Sequence, residues 1–81
     1  MNETQLRQTI LEGLKQVAPG MPVDDLEDEE NIREALDIDS FDSLNFLIGL
    51  NTTTGVDIPE KDYGKLNTVR EILDYLTVRV A

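Results

Sequence analysis

The sequence contains no cysteine, no histidine and no tryptophan among its 81 residues. Without cysteine, no disulfide bond can stabilise the fold, and the chain has no thiol of its own. Without histidine or cysteine, it lacks the Ser–His and Cys–His pairs of nucleophilic catalysis and the commonest zinc ligands. These absences argue against an enzyme and against a metal site, and any thiol chemistry would have to come from an added group.

Positive charge is also scarce. Seven lysines and arginines stand against 17 acidic residues, which leaves a net charge of −10 at pH 7. A surface with this balance repels nucleic acid and anionic membranes. It attracts proteins that carry basic patches, so we expect partners of that kind and no nucleic acid.

Long hydrophobic runs are missing as well. No stretch approaches the length of a membrane span, and the first ten residues, MNETQLRQTI, do not have the pattern of a signal peptide. We therefore expect a cytoplasmic protein without membrane insertion. The length predicts one small domain over residues 1–81.

Apolar periodicity and capping residues predict an all-α fold of four helices, one of them short. The first helix spans residues 3–17, where Asn2 and Gln5 have the spacing of a capping box. Pro19-Gly20 ends this helix, because proline cannot continue it and glycine allows the chain to turn.

A long loop over residues 18–36 follows, with a helical turn at Ile32–Leu36. The short third helix is predicted at residues 60–65. The last helix begins at Thr68, where Glu71 has the spacing to complete a second capping box.

The most apolar stretch, DIDSFDSLNFLIGL, runs from Asp37 to Leu50 and predicts the second helix. Asp39 or Ser40 can cap it, because a short side-chain oxygen accepts a hydrogen bond from an N–H group of the first turn. Asp42 then lies in that turn, where negative charge suits the helix dipole.

The apolar residues of the second helix cover most of its faces. Phe41, Leu44 and Ile48 lie on one stripe, which Phe46 and Leu47 broaden. We therefore expect this helix to lie at the centre of the fold, with the other helices around it.

Acidic residues are concentrated before and around Ser40. Residues 24–42 contain ten acids and a single base, Arg33. The cluster does not fit an EF-hand, because a loop starting at Asp37 has Asp42 at the glycine position and Ile48 at the bidentate acid position.

Three features in this order resemble the acyl carrier protein family. Asp39-Ser40-Phe41 is similar to the family's Asp-Ser-Leu signature, Ile58-Pro59-Glu60 to its link into the third helix, and Leu66-Asn67-Thr68-Val69 to the start of its last helix. The spacing from Ser40 to Ile58 matches without a gap. The resemblance implies a four-helix bundle of acyl-carrier type, with a short third helix and a long loop between helices 1 and 2.

The resemblance also implies a function. Such proteins are carriers rather than enzymes, and they hold acyl groups as thioesters on covalent 4′-phosphopantetheine taken from coenzyme A. Ser40 is then the attachment site, with Asp39 and Phe41 as its signature neighbours. The implied partners are a phosphopantetheinyl transferase and acyl-transferring, condensing or acyl-activating enzymes with basic docking patches. Partner-binding residues are expected at Asp37, Asp39, Asp42 and Leu44, and the chain is expected to be monomeric.

Ser43 competes with Ser40, because Asp42-Ser43-Leu44 is literally an Asp-Ser-Leu triplet. Counting from Ser43, however, leaves the segment to Ile58-Pro59 three residues short, and it places the serine one turn inside the helix. Two other functions stay open: an acidic helical interaction module without a prosthetic group, and a carrier of aminoacyl or D-alanyl groups.

The sequence departs from carriers of fatty-acid synthesis in two places. Asp42 is the only acid between Ser40 and Asp57, where those carriers have an acidic second helix. Asp37-Ile38 stands where they have a glycine shortly before the signature. These differences favour a specialised carrier for lipid, secondary-metabolite or polyketide-like chemistry.

Overall fold

The computed structural model describes residues 1–80, which contain four α-helices, two short 3₁₀ helices and no strand. The α-helices are α1, Glu3–Val17; α2, Ile32–Ala35; α3, Ser40–Thr54; and α4, Val69–Thr77, and the 3₁₀ helices are Val23–Asp25 and Glu60–Lys65. The predicted all-α fold is therefore confirmed. Within the described part, no helix is long and apolar enough to cross a membrane.

The capping box of α1 is present as predicted. The Asn2 side chain accepts a hydrogen bond from the Gln5 N–H at 2.8 Å, and the Gln5 side chain accepts one from the Asn2 N–H at 3.0 Å. Two N–H groups that the helix leaves free are thereby satisfied, which is why the helix starts at Glu3.

The capping box of α4 is only half formed. Thr68 accepts a hydrogen bond from the Glu71 N–H at 3.0 Å, as predicted. The Glu71 carboxylate, however, accepts from the N–H of Asn67 at 3.0 Å rather than from that of Thr68. The acid therefore reaches one residue further back than a capping box requires, and it holds the turn that precedes the helix.

Helix α1 packs against both α3 and α4, so α1 rather than α3 is the shared partner of the long helices. The core is formed by apolar side chains from the four α-helices, the first 3₁₀ helix and the connecting segments: Leu6, Ile10, Leu14, Ala18, Val23, Ile32, Leu36, Ile38, Phe46, Leu47, Leu50, Val56, Ile58, Leu66, Val69, Ile72, Leu73 and Leu76. The expectation that α3 lies at the centre is wrong, because one of its apolar faces is left uncovered.

That uncovered face is the stripe on which Phe41, Leu44 and Ile48 lie. These side chains are 68%, 37% and 49% exposed, whereas Phe46 and Leu47 on the opposite face are buried. Four helices, of which α2 is a single turn, are too few to cover α3 on both sides. The apolar face that meets α1 is buried, and the other faces solvent.

The long loop between α1 and α3 is held to the bundle at Asp28. Its carboxylate accepts hydrogen bonds from Arg7 of α1 at 2.5 and 2.9 Å and from Arg70 of α4 at 2.9 Å. The Arg7 hydrogen bonds are the main reason why the pKa of Asp28 lies below its usual value. This carboxylate therefore links the loop to two helices.

Candidate functional site

The candidate site lies at the N-terminus of α3. Asp39 is extended at φ −89° and ψ −178°, and its Oδ1 accepts a hydrogen bond from the Asp42 N–H at 2.8 Å. Of the two predicted caps, Asp39 is therefore the one used. Ser40 becomes the first residue of the helix, and its side chain is exposed.

A tight turn brings the chain from α2 to this point. Asp37 has φ 53°, the only positive φ of a non-glycine residue among residues 1–80. The N–H of Ile38 donates to the carbonyl of Arg33 at 3.1 Å, and the Ile38 side chain is buried beneath the turn. Asp37 thus adopts the left-handed conformation for which glycine is the usual choice, and which aspartate tolerates better than most residues.

A groove of about 240 Å³ opens beside Ser40, which we call the Ser40 groove. Its lining residues come from α2, α3, the second 3₁₀ helix and the turn before α4: Arg33, Ser40, Ser43, Leu44, Leu47, Tyr63, Gly64 and Asn67. Ser40 is exposed at its mouth, whereas Ser43, one turn further along α3, is half-buried. Both candidate serines therefore face one groove, at different depths.

Hydrogen bonds hold the walls of the Ser40 groove together. The N–H of Ile32 in α2 donates to the carbonyl of Asn67 at 2.9 Å. The Asn67 side-chain amide donates to the carbonyl of Gly64 at 2.8 Å. These contacts fix α2, the second 3₁₀ helix and the start of α4 relative to one another, so the groove is a preformed feature of the fold.

The charges around the Ser40 groove are unequally placed. Among residues 1–80, Arg33 is the only charged residue that lines it. Asp37 and Asp39 are exposed beside its mouth, and Asp42 is half-buried in the first turn of α3. The mouth is therefore acidic on the side of α3, with a single base on the side of α2.

Of the predicted partner-binding residues, Asp37, Asp39 and Leu44 are exposed and Asp42 is half-buried. They lie on the turn before α3 and on its first two turns, so one end of the molecule brings them together. We call the exposed apolar residues Phe41, Leu44 and Ile48 of α3 the outer stripe, and Leu44 therefore belongs to both sets.

Sequence reasoning did not assign three residues that line the Ser40 groove, namely Arg33, Tyr63 and Asn67. One feature of the sequence could have identified Arg33, because it is the only base between Lys15 and Lys61. Tyr63 and Asn67 gave no such signal, because their position in the groove depends on contacts between distant segments.

This chain is similar to several known proteins. A family model described as phosphopantetheine attachment site matches residues 6–76. An acyl carrier protein of Thermosynechococcus vestitus is 38% identical over 53 residues, which is 65% of this chain and 65% of that relative, slightly under two thirds of each. Acyl carrier proteins of Rubrobacter xylanophilus and Acidothermus cellulolyticus are 33% and 29% identical over 73 residues, with 86% of this chain and 90% and 87% of the relatives covered.

Proposed function

This chain belongs to the acyl carrier protein family, and we propose that Ser40 is the residue to which its prosthetic group is attached. The group is 4′-phosphopantetheine, and the protein acts as a carrier rather than as an enzyme. The observation that carries the proposal is the position of Ser40: an exposed hydroxyl on the first residue of α3, at the mouth of a groove.

The residues at this position fit the group. A phosphate on Ser40 would lie at the N-terminus of a 15-residue helix, whose free N–H groups and dipole favour negative charge. The adjoining groove combines apolar side chains, Leu44 and Leu47, with polar ones, and therefore suits an arm that contains both amide and methylene groups. When bound, the group supplies the thiol that holds an acyl chain, which a chain without cysteine cannot supply.

Attachment itself uses only the hydroxyl of Ser40. A phosphopantetheinyl transferase positions coenzyme A so that the Ser40 oxygen bonds to the phosphorus on the pantetheine side. The hydroxyl proton passes to a base of the transferase, and the bond to the leaving group, adenosine 3′,5′-bisphosphate, breaks. Asp39 keeps Ser40 at the helix start by capping α3, so it acts as a positioning residue in this step.

Ser43 remains the competing attachment site. Ser43 is half-buried and lies one turn inside α3, whereas Ser40 is exposed at the first residue of that helix. A transferase would have to reach past the first turn of α3 to meet it. The greater exposure of Ser40 therefore supports Ser40 as the attachment site.

We assign partner docking to Asp37, Asp39 and Asp42 at the serine end of α3, together with the outer stripe. The occupant is an enzyme with lysine or arginine opposite these acids and apolar side chains opposite the stripe. Three large exposed apolar residues on one face of a helix are unusual for a surface without a partner. Because the acids lie at one end only, charge would orient the partner and the apolar stripe would supply most of the affinity.

The uneven charge also supports a specialised pathway. Beyond Asp42, the exposed residues of α3 are uncharged, including Asn45, Ile48 and Thr52. Enzymes that recognise an acidic helix along its whole length would find no acid there. We therefore place this carrier with dedicated enzymes of lipid or polyketide-like biosynthesis, as a monomer in the cytoplasm.

Intact mass tests the attachment site. Wild type, Ser40→Ala and Ser43→Ala are incubated with coenzyme A and a promiscuous transferase. We expect one phosphopantetheine on wild type and on Ser43→Ala, and none on Ser40→Ala. Labelling of Ser40→Ala but not of Ser43→Ala would move the site one turn along α3. An unlabelled but folded wild type, with several transferases, would instead favour an interaction module without a prosthetic group.

The pathway is tested by elongation with the fatty-acid enzymes of a common bacterium. We expect turnover well below that of the bacterium's own carrier. A variant with Asn45→Glu and Thr52→Glu adds acids along the exposed face of α3. It should raise the turnover by these fatty-acid enzymes. Turnover of wild type equal to the housekeeping carrier would argue against a specialised role.

A further inference from the structure

Arg33 has an unusual position for a base in this molecule. It is the only lysine or arginine between Lys15 and Lys61, a segment that contains most of the acids. Despite this acidic surrounding, Arg33 forms no salt bridge with any of residues 1–80. Arg7 and Arg70, by contrast, are both paired with Asp28. Arg33 is exposed, and its guanidinium has no salt-bridge partner among residues 1–80, so its N–H donors are available there.

The backbone of Arg33 is held close to the serine end of α3. Its carbonyl accepts the N–H of Ile38, two residues before Ser40, at 3.1 Å. The neighbouring residue Ile32 is buried, and its N–H is bonded to Asn67. Arg33 thus extends from a short helix that is fixed at both ends, and it lines the Ser40 groove together with Ser40 itself.

A phosphodiester on Ser40 would bring one more negative charge to an already acidic mouth. Asp39 and Asp42 lie in the same turn, and like charges at short range raise the free energy of each other's ionised forms. A guanidinium in the same groove can offset this repulsion, because its planar set of N–H donors matches two oxygens of a phosphate.

We propose, on the basis of the function proposed above, that Arg33 is the phosphate-binding residue of this carrier and pairs with the phosphodiester on Ser40. The pairing holds the phosphate end of the prosthetic arm on the α2 side of the groove mouth. From there the arm runs along the Ser40 groove past Leu44 and Leu47, rather than out over the acids of α3. Arg33 is a positioning residue, since it neither forms nor breaks a bond.

The experiment compares apo and holo forms of four proteins: wild type, Arg33→Gln, Arg33→Lys and Lys61→Gln. Lys61→Gln is the matched control, because Lys61 is also exposed, forms no salt bridge with residues 1–80 and does not line the groove. Intact mass reports attachment, the ³¹P resonance reports the surroundings of the phosphodiester, and the ¹⁵N–¹H signal of each arginine Nε reports its pairing.

Pairing predicts a shift of the Arg33 Nε–H signal between apo and holo wild type. It also predicts a ³¹P shift in Arg33→Gln relative to wild type, a smaller one in Arg33→Lys, and none in Lys61→Gln. Added salt should move the wild-type resonance toward that of Arg33→Gln, because salt screens an exposed ion pair.

Three results overturn the inference, and they are distinguishable. If wild type gains no mass, the proposed attachment fails and the inference fails with it. If every protein gains the mass but the ³¹P resonance and the Arg33 signal stay unchanged, attachment stands and the role of Arg33 is excluded. A ³¹P shift of equal size in Lys61→Gln would also overturn it, since the effect would then come from net charge alone.

Discussion

The ring of Phe46 in α3 lies directly against Gly13 in α1, so closely that a Cβ on Gly13 would come within 3.1 Å of two ring carbons. Phe46 is only 4% exposed and belongs to the core. The absence of a side chain at Gly13 therefore allows α1 and α3 to approach at this point. This close approach at Gly13 favours the orientation of α3 in which Phe46 faces the core.

Replacing Gly13 by alanine is expected to lower the free energy of unfolding by about 1 kcal/mol. Alanine gains about 1 kcal/mol of helix propensity over glycine, but overpacking of a rigid core costs about 1–3 kcal/mol. Gly49→Ala is the control, because a Cβ on that exposed glycine of α3 would meet nothing within 4 Å. That variant should gain about 0.5–1 kcal/mol. Urea denaturation measures both, and equal gains for the two would show that the Phe46 ring yields.

Replacing Asp37 by glycine is expected to stabilise the fold by up to about 1 kcal/mol. The residue is held at φ 53°, a conformation that costs L-residues about 1–2 kcal/mol and glycine almost nothing. Asp57→Gly removes the same charge at an exposed residue without a positive φ, and it should destabilise slightly. Thermal melts at one salt concentration compare the two; a loss of stability in Asp37→Gly would contradict the argument.

Stability is expected to fall in acid partly through Asp28. Its pKa lies below the usual value of an aspartate, chiefly because Arg7 donates hydrogen bonds to its carboxylate. A lowered pKa contributes stability that is present above the unfolded pKa and is lost as the pH falls through the folded value. Asp28→Asn should therefore be less stable at pH 7 by about 1 kcal/mol, after allowance for solvent screening, and this difference should shrink below about pH 4.

The control for Asp28 is Glu29→Gln, which removes the same charge from an exposed neighbour that forms no salt bridge with residues 1–80. Denaturant unfolding at several pH values measures both variants. A constant difference between wild type and Asp28→Asn from pH 7 to pH 3 would exclude the linkage.

Asp39 is expected to have separable structural and recognition roles. Asp39→Ala removes the side chain that accepts the Asp42 N–H, and it should cost about 1 kcal/mol of stability. Asp39→Ser keeps a capping oxygen but loses the charge, so its stability should stay near that of wild type. If the charge orients the transferase, kcat/KM for attachment should nevertheless fall in Asp39→Ser. Circular dichroism melts and attachment rates distinguish the two roles. An unchanged attachment rate in Asp39→Ser would show that Asp39 acts only as a helix cap.

The outer stripe is expected to matter for partners but not for folding. Ile48 is 49% exposed, so Ile48→Glu should change stability by only about 0.5 kcal/mol. It should slow acyl transfer by a partner enzyme several-fold, because it places a charge in the apolar contact. Thr52→Glu adds the same charge one turn further along α3 and should have a smaller effect. Leu47→Ala, on the buried face, should instead cost about 2–5 kcal/mol of stability.

Local features of this protein could be predicted from its sequence. The bounds of α1, its cap Asn2, and a cap of α3 at Asp39 or Ser40 depend on contacts within one turn of the chain, so nearby residues suffice to predict them. The all-α class, the acidic surface and the absence of an intrinsic thiol follow in the same way from composition and periodicity. The structure then shows that Asp39 is the cap, which makes Ser40 the first residue of α3.

Contacts between distant segments had to come from the tertiary structure. Both faces of α3 are apolar, and only its packing on α1 decides that Phe46 is buried while Ile48 is exposed. The placement of Arg33 in the same groove as Ser40 depends on the hydrogen bond from Ile32 to Asn67, which joins residues 35 positions apart. Sequence periodicity describes how apolar a face is, but the partner that covers it is chosen by the whole chain, because burial is a competition among all faces for a limited core.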